Sequence, residues 1–244
     1  MLSLRAYVVT APLIVLATIL FGTAAFLASF FDETGRAQMR MARRWSRALL
    51  RASSVRVEVT GLDKIDPQSS YVFVSNHLSY MDTPVALAYI PVEFRFLAKV
   101  GLFKIPFLGQ HLAKAGHIPV PREDPRAAVK TLTVAAATIR ERGISLLVFP
   151  EGGRSPHGAL RDFKEGAAYI AIKAGVPVVP VALVGTRAVL PFGSGKVLPG
   201  KVQMRIGNPI PTTGLILRDR AELTAGLRTQ IETLLDTTSQ KTHA

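Results

Sequence analysis

The first part of the chain is a long run of uncharged, mostly apolar residues. No charged side chain occurs in residues 6–31, and a helix of about 26 residues reaches about 39 Å, enough to span a bilayer. Pro12 and Gly22 are tolerated in membrane helices. Residues 1–34 are therefore predicted to form a retained membrane anchor. The alternative is a cleaved secretory signal that ends near residues 28–31, although the apolar part of such signals is normally about 7–15 residues long.

A basic amphipathic pattern follows. Residues 35–57 contain seven arginines and no acidic residue. Six of the arginines fall on one side of a helix: Arg36, Arg40, Arg43, Arg44, Arg47 and Arg51. Residues 35–54 are predicted to form an interfacial helix whose arginines bind anionic membrane phospholipids; the alternative is a helix that packs on the core and exposes its basic side to water. By the positive-inside rule, the body of the protein is expected on the cytoplasmic face of the inner (plasma) membrane.

From residue 55 onward, short apolar runs alternate with helical patterns. The predicted strands are residues 55–59, 71–75, 94–98, 117–120, 144–149, 178–184 and 202–206. Helices are predicted from Asp124 to Gly143, with Val129, Leu132, Ala136 and Ile139 buried, from Asp162 to Gly175, and from about Asp219 to Leu235. This alternation predicts a single α/β domain over residues 55–236, with a largely parallel sheet flanked by helices. Residues 237–244 are predicted to be a flexible tail.

Composition narrows the possible functions. The chain has no cysteine, which excludes disulfides, thiolate nucleophiles and cysteine-based zinc sites. Its formal net charge of +13 favours anionic partners, such as phospholipid headgroups, phosphorylated small molecules or nucleic acid. Nucleic acid is the least favoured of these, because the arginines are concentrated beside an apolar segment and aromatic residues that stack on bases are few.

Polar residues stand at the end of the strand predicted at 71–75. Asn76 and His77 follow it directly, and Asp82 precedes a helical pattern. A carboxylate beside an imidazole fixes the tautomer and stabilises the imidazolium, which makes histidine a general base near neutral pH. The alternative is structural: Asp82 caps a helix that starts at Thr83-Pro84, and His77 bonds a backbone carbonyl.

Three further loops carry charged residues directly after predicted strands. They contain Lys99 and Lys104, then Arg122, then Glu151, Gly152 and Arg154. The carboxyl ends of parallel strands gather at one edge of a sheet, where ligands bind. Glycine lets a ligand approach the backbone closely, and arginine grips a phosphate with two N–H groups. The loops together predict a basic, phosphate-binding rim beside the His77–Asp82 pair.

Two motifs in this arrangement resemble those of a known family. Residues 76–82, Asn-His-Leu-Ser-Tyr-Met-Asp, resemble the Asn-His-x-x-x-x-Asp motif of the glycerolipid acyltransferases, the family that includes 1-acyl-glycerol-3-phosphate acyltransferase. Residues 149–155, Phe-Pro-Glu-Gly-Gly-Arg-Ser, resemble its second motif, with Gly153 where threonine is usual. Residues 99–109 and 179–181 resemble two more blocks, in family order. Pro121 stands where an aspartate often precedes arginine, so the fine substrate preference stays open.

The resemblance implies that His77 is the general base, that Asp82 orients it and that Glu151 shapes the acceptor pocket. The residues it implies for substrate binding are Asn76, Lys104, Arg122, Glu151, Gly152 and Arg154, of which Lys104, Arg122 and Arg154 would hold the phosphate. The expected reaction moves an acyl group from acyl-CoA or acyl carrier protein, as co-substrate, to the free hydroxyl of lysophosphatidic acid, and gives phosphatidic acid. Neither a metal nor a cofactor is expected.

Other functions stay open at this point. An acyltransferase of the same family would use the same pair on another lysolipid acceptor. A membrane-bound esterase would use His77 and Asp82 to activate a serine or water, but the nearest sequence to a Gly-x-Ser-x-Gly elbow, Gly193-Ser-Gly195, lacks that pattern. A lipid-binding scaffold would use only the anchor and the arginines.

Overall fold

The computed structural model describes residues 2–121 and 124–236. Within these ranges the helices are α1 (Leu2–Arg5), α2 (Ala11–Ala28), α3 (Arg36–Ala52), α4 (Asp82–Tyr89), α5 (Leu108–Lys114), α6 (Pro125–Arg142), α7 (Gly166–Ala174), α8 (Thr186–Val189) and α9 (Arg220–Asp236). A π-helical turn, Ala6–Thr10, joins α1 to α2. The strands are β1 (Val55–Thr60), β2 (Val72–Ser75), β3 (Phe94–Lys99), β4 (Ile118–Val120), β5 (Ser145–Val148), β6 (Val178–Val184) and β7 (Gly200–Ile206).

The strands form one seven-stranded sheet in the order β1-β7-β6-β2-β5-β3-β4. Strands β6, β2, β5, β3 and β4 are parallel to one another, whereas β7 is antiparallel to β6 and β1 is parallel to β7. The prediction of a largely parallel α/β sheet is therefore confirmed. Strands β2 to β6 all end at the same edge, which we call the carboxyl edge, so the loops that follow them converge there.

The sheet is covered on both faces, which explains the nearly continuous apolar strands. Successive side chains of a strand point to opposite faces. Phe73 and Leu147 accordingly belong to a core with α3 and α4, whereas Val72, Leu146 and Val148 belong to a core with α6, α7 and α9. The packing of these two cores determines which face of the sheet each loop at the carboxyl edge can reach.

The helix predicted from Asp124 to Gly143 agrees closely with α6. The side chain of Asp124 accepts hydrogen bonds from the first-turn N–H groups, and Gly143 ends the helix in the left-handed conformation with a φ of 60°. Its predicted buried stripe is wrong at Val129, which is 53% exposed. At that turn the neighbouring residues Ala128 and Leu132 face inward and line a cavity, so the buried stripe is rotated away from Val129.

The predicted start of the next helix is also wrong. The helix α7 begins at Gly166, not at Asp162. Two hydrogen bonds from backbone N–H groups hold the preceding residues as a loop: Arg161 N donates to Oε2 of the Glu151 side chain at 3.0 Å, and Lys164 N donates to the carbonyl of Pro150 at 3.0 Å. These long-range contacts override the capping pattern that Asp162 and Glu165 present in the sequence.

Helices α2 and α3 pack against each other. Within the described ranges, Ala6–Ala28 is the helical segment long and apolar enough to cross a membrane, and little of it is buried. Trp45 on the apolar side of α3 donates from Nε1 to Oγ1 of Thr18 on α2 at 3.0 Å. Met39 and Leu50 of α3 are buried in the domain core. The apolar residues of α3 are thus divided between α2 and the domain, and its role at a membrane stays a prediction.

Part of the basic side of α3 also binds the protein itself. Arg43 is half-buried and donates to the carbonyls of Ile90, at 2.6 Å, and Val92, just after α4. Burial lowers the pKa of the Arg43 guanidinium. Arg47 donates to the carbonyl of Ala88 at 3.3 Å. The expectation that all six arginines face phospholipid therefore needs correction: Arg43 and Arg47 tie α3 to α4, because a buried helix end needs donors for its last carbonyls.

Candidate active site

His77 and Asp82 lie together at the carboxyl edge, between β2 and α4. Oδ2 of Asp82 accepts hydrogen bonds from Nδ1 of His77 and from the backbone N–H groups of Leu78 and Ser79, each at 2.8 Å. The side chain of Asp82 is fully buried and that of His77 is 16% exposed. Because Nδ1–H donates to the carboxylate, the lone pair of the imidazole is on Nε2. The geometry is that of a general base held by a buried carboxylate.

The imidazole ring of His77 stacks on Phe149, with ring centroids 4.1 Å apart and planes inclined by 15°. Phe149 follows β5, which pairs with β2 through Val74 and Val148. The ring of Phe96 also stacks with that of Phe149, with ring centroids 6.4 Å apart. These aromatic contacts restrict rotation of the imidazole, so both its plane and its tautomer are set by neighbouring residues.

Glu151 holds the backbone of His77. Oε1 of Glu151 accepts from the N–H of His77 at 2.6 Å, and Oε2 accepts from the N–H of Arg161 at 3.0 Å. The carbonyl of His77 accepts from the N–H of Ser155 at 2.9 Å. Burial raises the pKa of the Glu151 carboxyl, and its two N–H donors oppose that rise. Glu151 is almost completely buried, so in this structure it joins the two loops, whereas the resemblance implied that it shapes the acceptor pocket.

Asn76 lies beneath the site and is completely buried. Its Nδ2 donates to the carbonyl of Leu183 at 2.9 Å, and its Oδ1 accepts from the N–H of Leu183 at 2.8 Å. Both ends of the amide are therefore bonded to β6. In this structure Asn76 locks the turn that carries His77 to the neighbouring strand, and the expectation that it binds substrate stays a prediction.

Arg154 lies close to two aromatic rings. Its guanidinium carbon is 3.4 Å from the ring centroid of Tyr80 and 4.7 Å from that of Phe192. The three side chains line a cavity of about 380 Å³, together with Leu190, Pro191, Gly193, Gly195 and Val197. An aromatic ring stacks on the face of a guanidinium rather than on its N–H edge, and it is that edge which donates to a phosphate.

Gly152 lies beside a second cavity at the carboxyl edge. Its φ of +72° favours glycine, and a Cβ would lie 3.2 Å from Cε of Lys164. This cavity of about 340 Å³ extends over the α6–α7 face of the sheet and is lined by Leu97, Val120, Pro121, Ala128, Leu132, Val148, Phe149, Pro150, Gly152, Lys164, Gly166 and Ala167. It is largely apolar, with Lys164 as its charged residue among those named.

The remaining predicted site residues are more peripheral. Lys104 is exposed at the end of the turn Val100–Lys104, which follows β3 at the carboxyl edge. Arg122 lies outside the described residues. Among the residues that the structure does describe, no group of three or more histidine, aspartate or glutamate side chains is arranged to hold a metal ion. The expectation that neither a metal nor a cofactor is used stays a prediction.

The sequence did not single out several side chains that shape the site. Tyr80 occupies a variable position of the first motif, and Phe192 lies in the loop after α8, so neither carries a local signal. Arg187 donates to the carbonyl of Ser155 at 3.0 Å and thereby fixes the loop after Arg154. Phe149 is different, because it begins the second motif directly after a strand. Its position close to the candidate site could therefore have been predicted from the sequence.

Comparisons with known proteins agree on one family. The acyltransferase family model matches residues 56–184. A chloroplastic 1-acyl-sn-glycerol-3-phosphate acyltransferase from Brassica napus is 38% identical over 157 residues, which is 64% of this chain and 45% of that protein. The alpha form from Ovis aries is 32% identical over 161 residues, 66% of this chain and 56% of that protein. The chain thus spans about half the length of the curated relatives that it matches.

A solved structure is similar over nearly the whole chain. The crystal structure of the 1-acyl-sn-glycerophosphate acyltransferase PlsC from Thermotoga maritima superposes with a TM-score of 0.80 at 26% sequence identity. The match covers 99% of this chain and 100% of that one. The likeness therefore includes the N-terminal helices as well as the α/β domain.

Proposed function

The chain belongs to the acyltransferase family, and from this premise we propose that it transfers a fatty acyl group to the free hydroxyl of 1-acylglycerol 3-phosphate, giving phosphatidic acid. The observation that carries the proposal is the contact of 2.8 Å between Nδ1 of His77 and the buried Oδ2 of Asp82. The relatives named above support the acceptor, because each carries 1-acyl-sn-glycerol-3-phosphate or 1-acyl-sn-glycerophosphate in its name.

In the proposed mechanism, His77 moves one proton. Nε2 removes the proton from the acceptor hydroxyl as its oxygen attacks the thioester carbonyl, and the imidazolium is stabilised by Asp82. Collapse of the tetrahedral intermediate breaks the carbon–sulfur bond and forms the ester. The imidazolium then returns the proton to the departing sulfur, so the products are phosphatidic acid and a free thiol. The chain has no cysteine, and the reaction balances without an acyl-enzyme, a metal or a cofactor.

We assign the acceptor phosphate to the cavity that contains Arg154. The aromatic rings of Tyr80 and Phe192 hold the guanidinium plane, and its N–H edge provides paired donors for phosphate oxygens. Tyr80 lies between His77 and Asp82 in the chain, so one short turn carries both the base and an aromatic side chain of the proposed phosphate site. Lys104 and Arg122 are proposed to add positive charge to the same rim.

The donor is proposed to be a thioester of coenzyme A or of acyl carrier protein. A thioester supplies a leaving group that needs only one proton, which His77 has just accepted. The formal net charge of the chain, +13, supports either donor, since both are anionic. The assay described below distinguishes the two donors, because acyl-CoA and acyl carrier protein are supplied in separate reactions.

We further propose that the protein is held at the cytoplasmic face of the inner membrane. Ala6–Ala28 is long and apolar enough to enter the bilayer. Arg40, Arg44 and Arg51 are exposed on α3 and suit anionic phospholipid headgroups. Acceptor and product are themselves membrane lipids, so attachment brings the active site to its substrate.

The experiment that tests the function measures thiol release from acyl-CoA or acyl carrier protein by the full chain in membranes, with a panel of lysolipids. We expect thiol release that depends on lysophosphatidic acid and forms phosphatidic acid. The variants His77→Ala and Asp82→Asn are expected to lose about 10²- to 10⁴-fold in turnover, because the first removes the base and the second its charged partner.

The exposed histidine variant His157→Ala serves as the matched control and should retain wild-type turnover. Thiol release without an acceptor would indicate hydrolysis and favour an esterase. Release with another lysolipid, but not with lysophosphatidic acid, would replace the acceptor. Full activity in His77→Ala would refute the assignment of the base.

A further inference from the structure

The segment that runs from the end of β3 to the first residue of α5 projects apolar side chains into solvent at the carboxyl edge. We call residues 100–108 the projecting segment. Its exposed large apolar residues are Val100, Leu102, Ile105, Phe107 and Leu108, and Phe107 is the most prominent at 82% exposed. Single exposed apolar residues are ordinary, but five within nine positions form a patch of the kind that marks an interaction surface.

Backbone contacts hold this segment in shape. The N–H of Gly109 donates to the carbonyl of Ile105 at 2.8 Å, and that of His111 donates to the carbonyl of Phe107 at 3.0 Å. A Cβ at Gly109 would lie 2.0 Å from the carbonyl oxygen of Phe103, so the turn is packed tightly on itself. Phe107 has a φ of +62°, a conformation that a bulky residue keeps only when its surroundings impose it. The exposure of Phe107 is therefore built into the fold.

Helix α5, which begins at the last residue of the projecting segment, contacts the connection between α2 and α3 at its other end. Lys114 at the end of α5 lies with Nζ 5.1 Å from the ring centroid of Phe30, in the turn after α2. Gly35 is packed so closely on α5 that a Cβ would lie 2.7 Å from the carbonyl oxygen of Ala115. Phe31, which follows Phe30 in the chain, is almost completely exposed. Helix α5 thus connects the projecting segment to the exposed end of α2.

Positive charge accompanies the apolar side chains. Lys104 is exposed within the segment, and Arg40 is exposed on α3 near Gly35; Arg36, which is also exposed, is paired with Oε2 of Glu93 at 3.2 Å. An apolar surface bordered by lysine and arginine fits the boundary between lipid headgroups and acyl chains. An acidic protein partner would be matched by the charge, but it would not explain why α5 also contacts Phe30, directly after the helix proposed to enter the membrane.

We propose that the projecting segment is a second membrane contact, which inserts Phe107 and Ile105 at the bilayer interface. Because this segment follows β3, the contact would turn the carboxyl edge, with His77, toward the lipid surface. The contact rests on the proposed membrane attachment of α2. It predicts a specific orientation of the domain, which attachment through α2 alone does not fix.

The natural absence of cysteine allows a direct test with single nitroxide labels on the full chain. Phe107→Cys reports the projecting segment, Leu20→Cys reports exposed α2, and Val134→Cys reports exposed α6, on the sheet face opposite α3 and α4. In vesicles of phosphatidylcholine and phosphatidylglycerol, the collision rates of each nitroxide with oxygen and with a water-soluble nickel chelate measure the depth of that label in the bilayer. We expect the label at 20 to be deep, that at 107 shallow within the lipid, and that at 134 in water.

The three labels separate the two proposals. A label at 107 as accessible to nickel as that at 134, with the label at 20 deep, would overturn the second contact and leave attachment intact. A label at 20 in water would refute the attachment itself, and with it the contact. If acyl carrier protein, but not vesicles, shields the label at 107, the surface is a protein-docking site and the proposal is overturned.

A functional measurement supplements the depth profile. For Phe107→Ser we expect activity on acceptor embedded in vesicles to fall by roughly tenfold or more, because an aromatic side chain no longer enters the interface. Activity on detergent-dispersed acceptor should stay within about twofold of wild type. The matched variant Val134→Ser should change neither. An equal loss in detergent and in vesicles would mean that Phe107 acts on the fold or the active site, and would overturn its interfacial role.

Discussion

At the scale of single residues, His77 is held by four independent contacts. Asp82 bonds Nδ1, Glu151 bonds the backbone N–H, the N–H of Ser155 bonds the carbonyl, and Phe149 stacks on the ring. A general base works only when its lone pair lies within hydrogen-bond reach of the proton that it removes. These contacts have different effects: Asp82 determines which ring nitrogen of His77 carries the proton, and the other three determine where the imidazole lies.

Glu151→Gln tests the positioning role of this carboxylate. Gln has one amide oxygen for two N–H donors, so either His77 or Arg161 loses its partner. A hydrogen bond to a charged group contributes about 1.5–3 kcal/mol, and a small displacement of a catalytic group lowers the rate strongly. We expect kcat to fall by about tenfold or more, with KM for the acceptor within about twofold of wild type, measured by thiol release.

The control for this prediction is Asp162→Asn, which neutralises an exposed carboxyl group in the same loop. It should leave both constants unchanged. A variant Glu151→Gln with unchanged kcat and a raised KM would show that Glu151 contacts the acceptor, as the family resemblance implied, and that its bond to His77 has little effect on the rate.

At the scale of elements, α3 performs two tasks with one row of arginines. Arg43 ties the helix to the end of α4 through the carbonyls of Ile90 and Val92. Arg44, the next residue, is exposed. Identical side chains at adjacent positions therefore have different partners, because a rotation of 100° along the helix moves a residue from the protein to the solvent.

Arg43→Met and Arg44→Met form a matched pair. We expect Arg43→Met to lower the free energy of unfolding by about 1–3 kcal/mol, because it leaves buried carbonyls without donors. Arg44→Met should change it by less than about 0.5 kcal/mol. Binding to anionic relative to neutral vesicles should follow the opposite order, with about 1 kcal/mol lost for Arg44. Equal destabilisation by both variants would contradict the division of tasks.

At the scale of the whole molecule, the parallel sheet assembles the site from distant segments. The turn after β2 and the loop after β5 meet because those strands pair in the sheet. The same packing buries His117 between α5 and β3, where its Nδ1 accepts from the N–H of Phe96 at 3.0 Å. Burial, with Arg95 and His111 nearby, lowers the pKa of His117 to about 3.

His117 predicts acid sensitivity of the fold. Between the usual histidine pKa near 6.5 and a value of about 3, the unfolded chain binds more protons than the folded one. The free energy of unfolding should therefore fall as pH decreases through this window, by about 1.4 kcal/mol per pH unit from this group. The raised pKa of Glu151 acts in the opposite sense, since its contribution to stability is lost as pH rises through that pKa.

The variant His117→Asn isolates the effect, because its Oδ1 keeps an acceptor for Phe96 but does not titrate. Denaturant unfolding between pH 7 and pH 4 should show a shallower pH dependence for this variant than for the wild type. The exposed variant His157→Asn should retain the wild-type dependence. Parallel curves for all three proteins would contradict a neutral, buried His117.

Much of this protein was predictable from local sequence. Strand positions followed from apolar runs, and the ends of α6 followed from Asp124 and Gly143, because capping acts within a few residues. The proximity of His77 to Asp82 was predictable for the same reason, since one turn carries both. The start of α7 was not, because the contact from Arg161 to Glu151 overrides the local capping pattern.

The sequence by itself determined the strands, the turn that joins His77 to Asp82, and the motifs that identify the family. Only the tertiary structure decided which neighbours complete the site. Glu151 reaches His77 across 74 positions of the chain, and Asn76 reaches Leu183 across 107. Pairing of β2 with β5 and β6 creates these contacts. Local patterns report the conformation of a segment, whereas the partner of a side chain depends on which strands pair in the sheet.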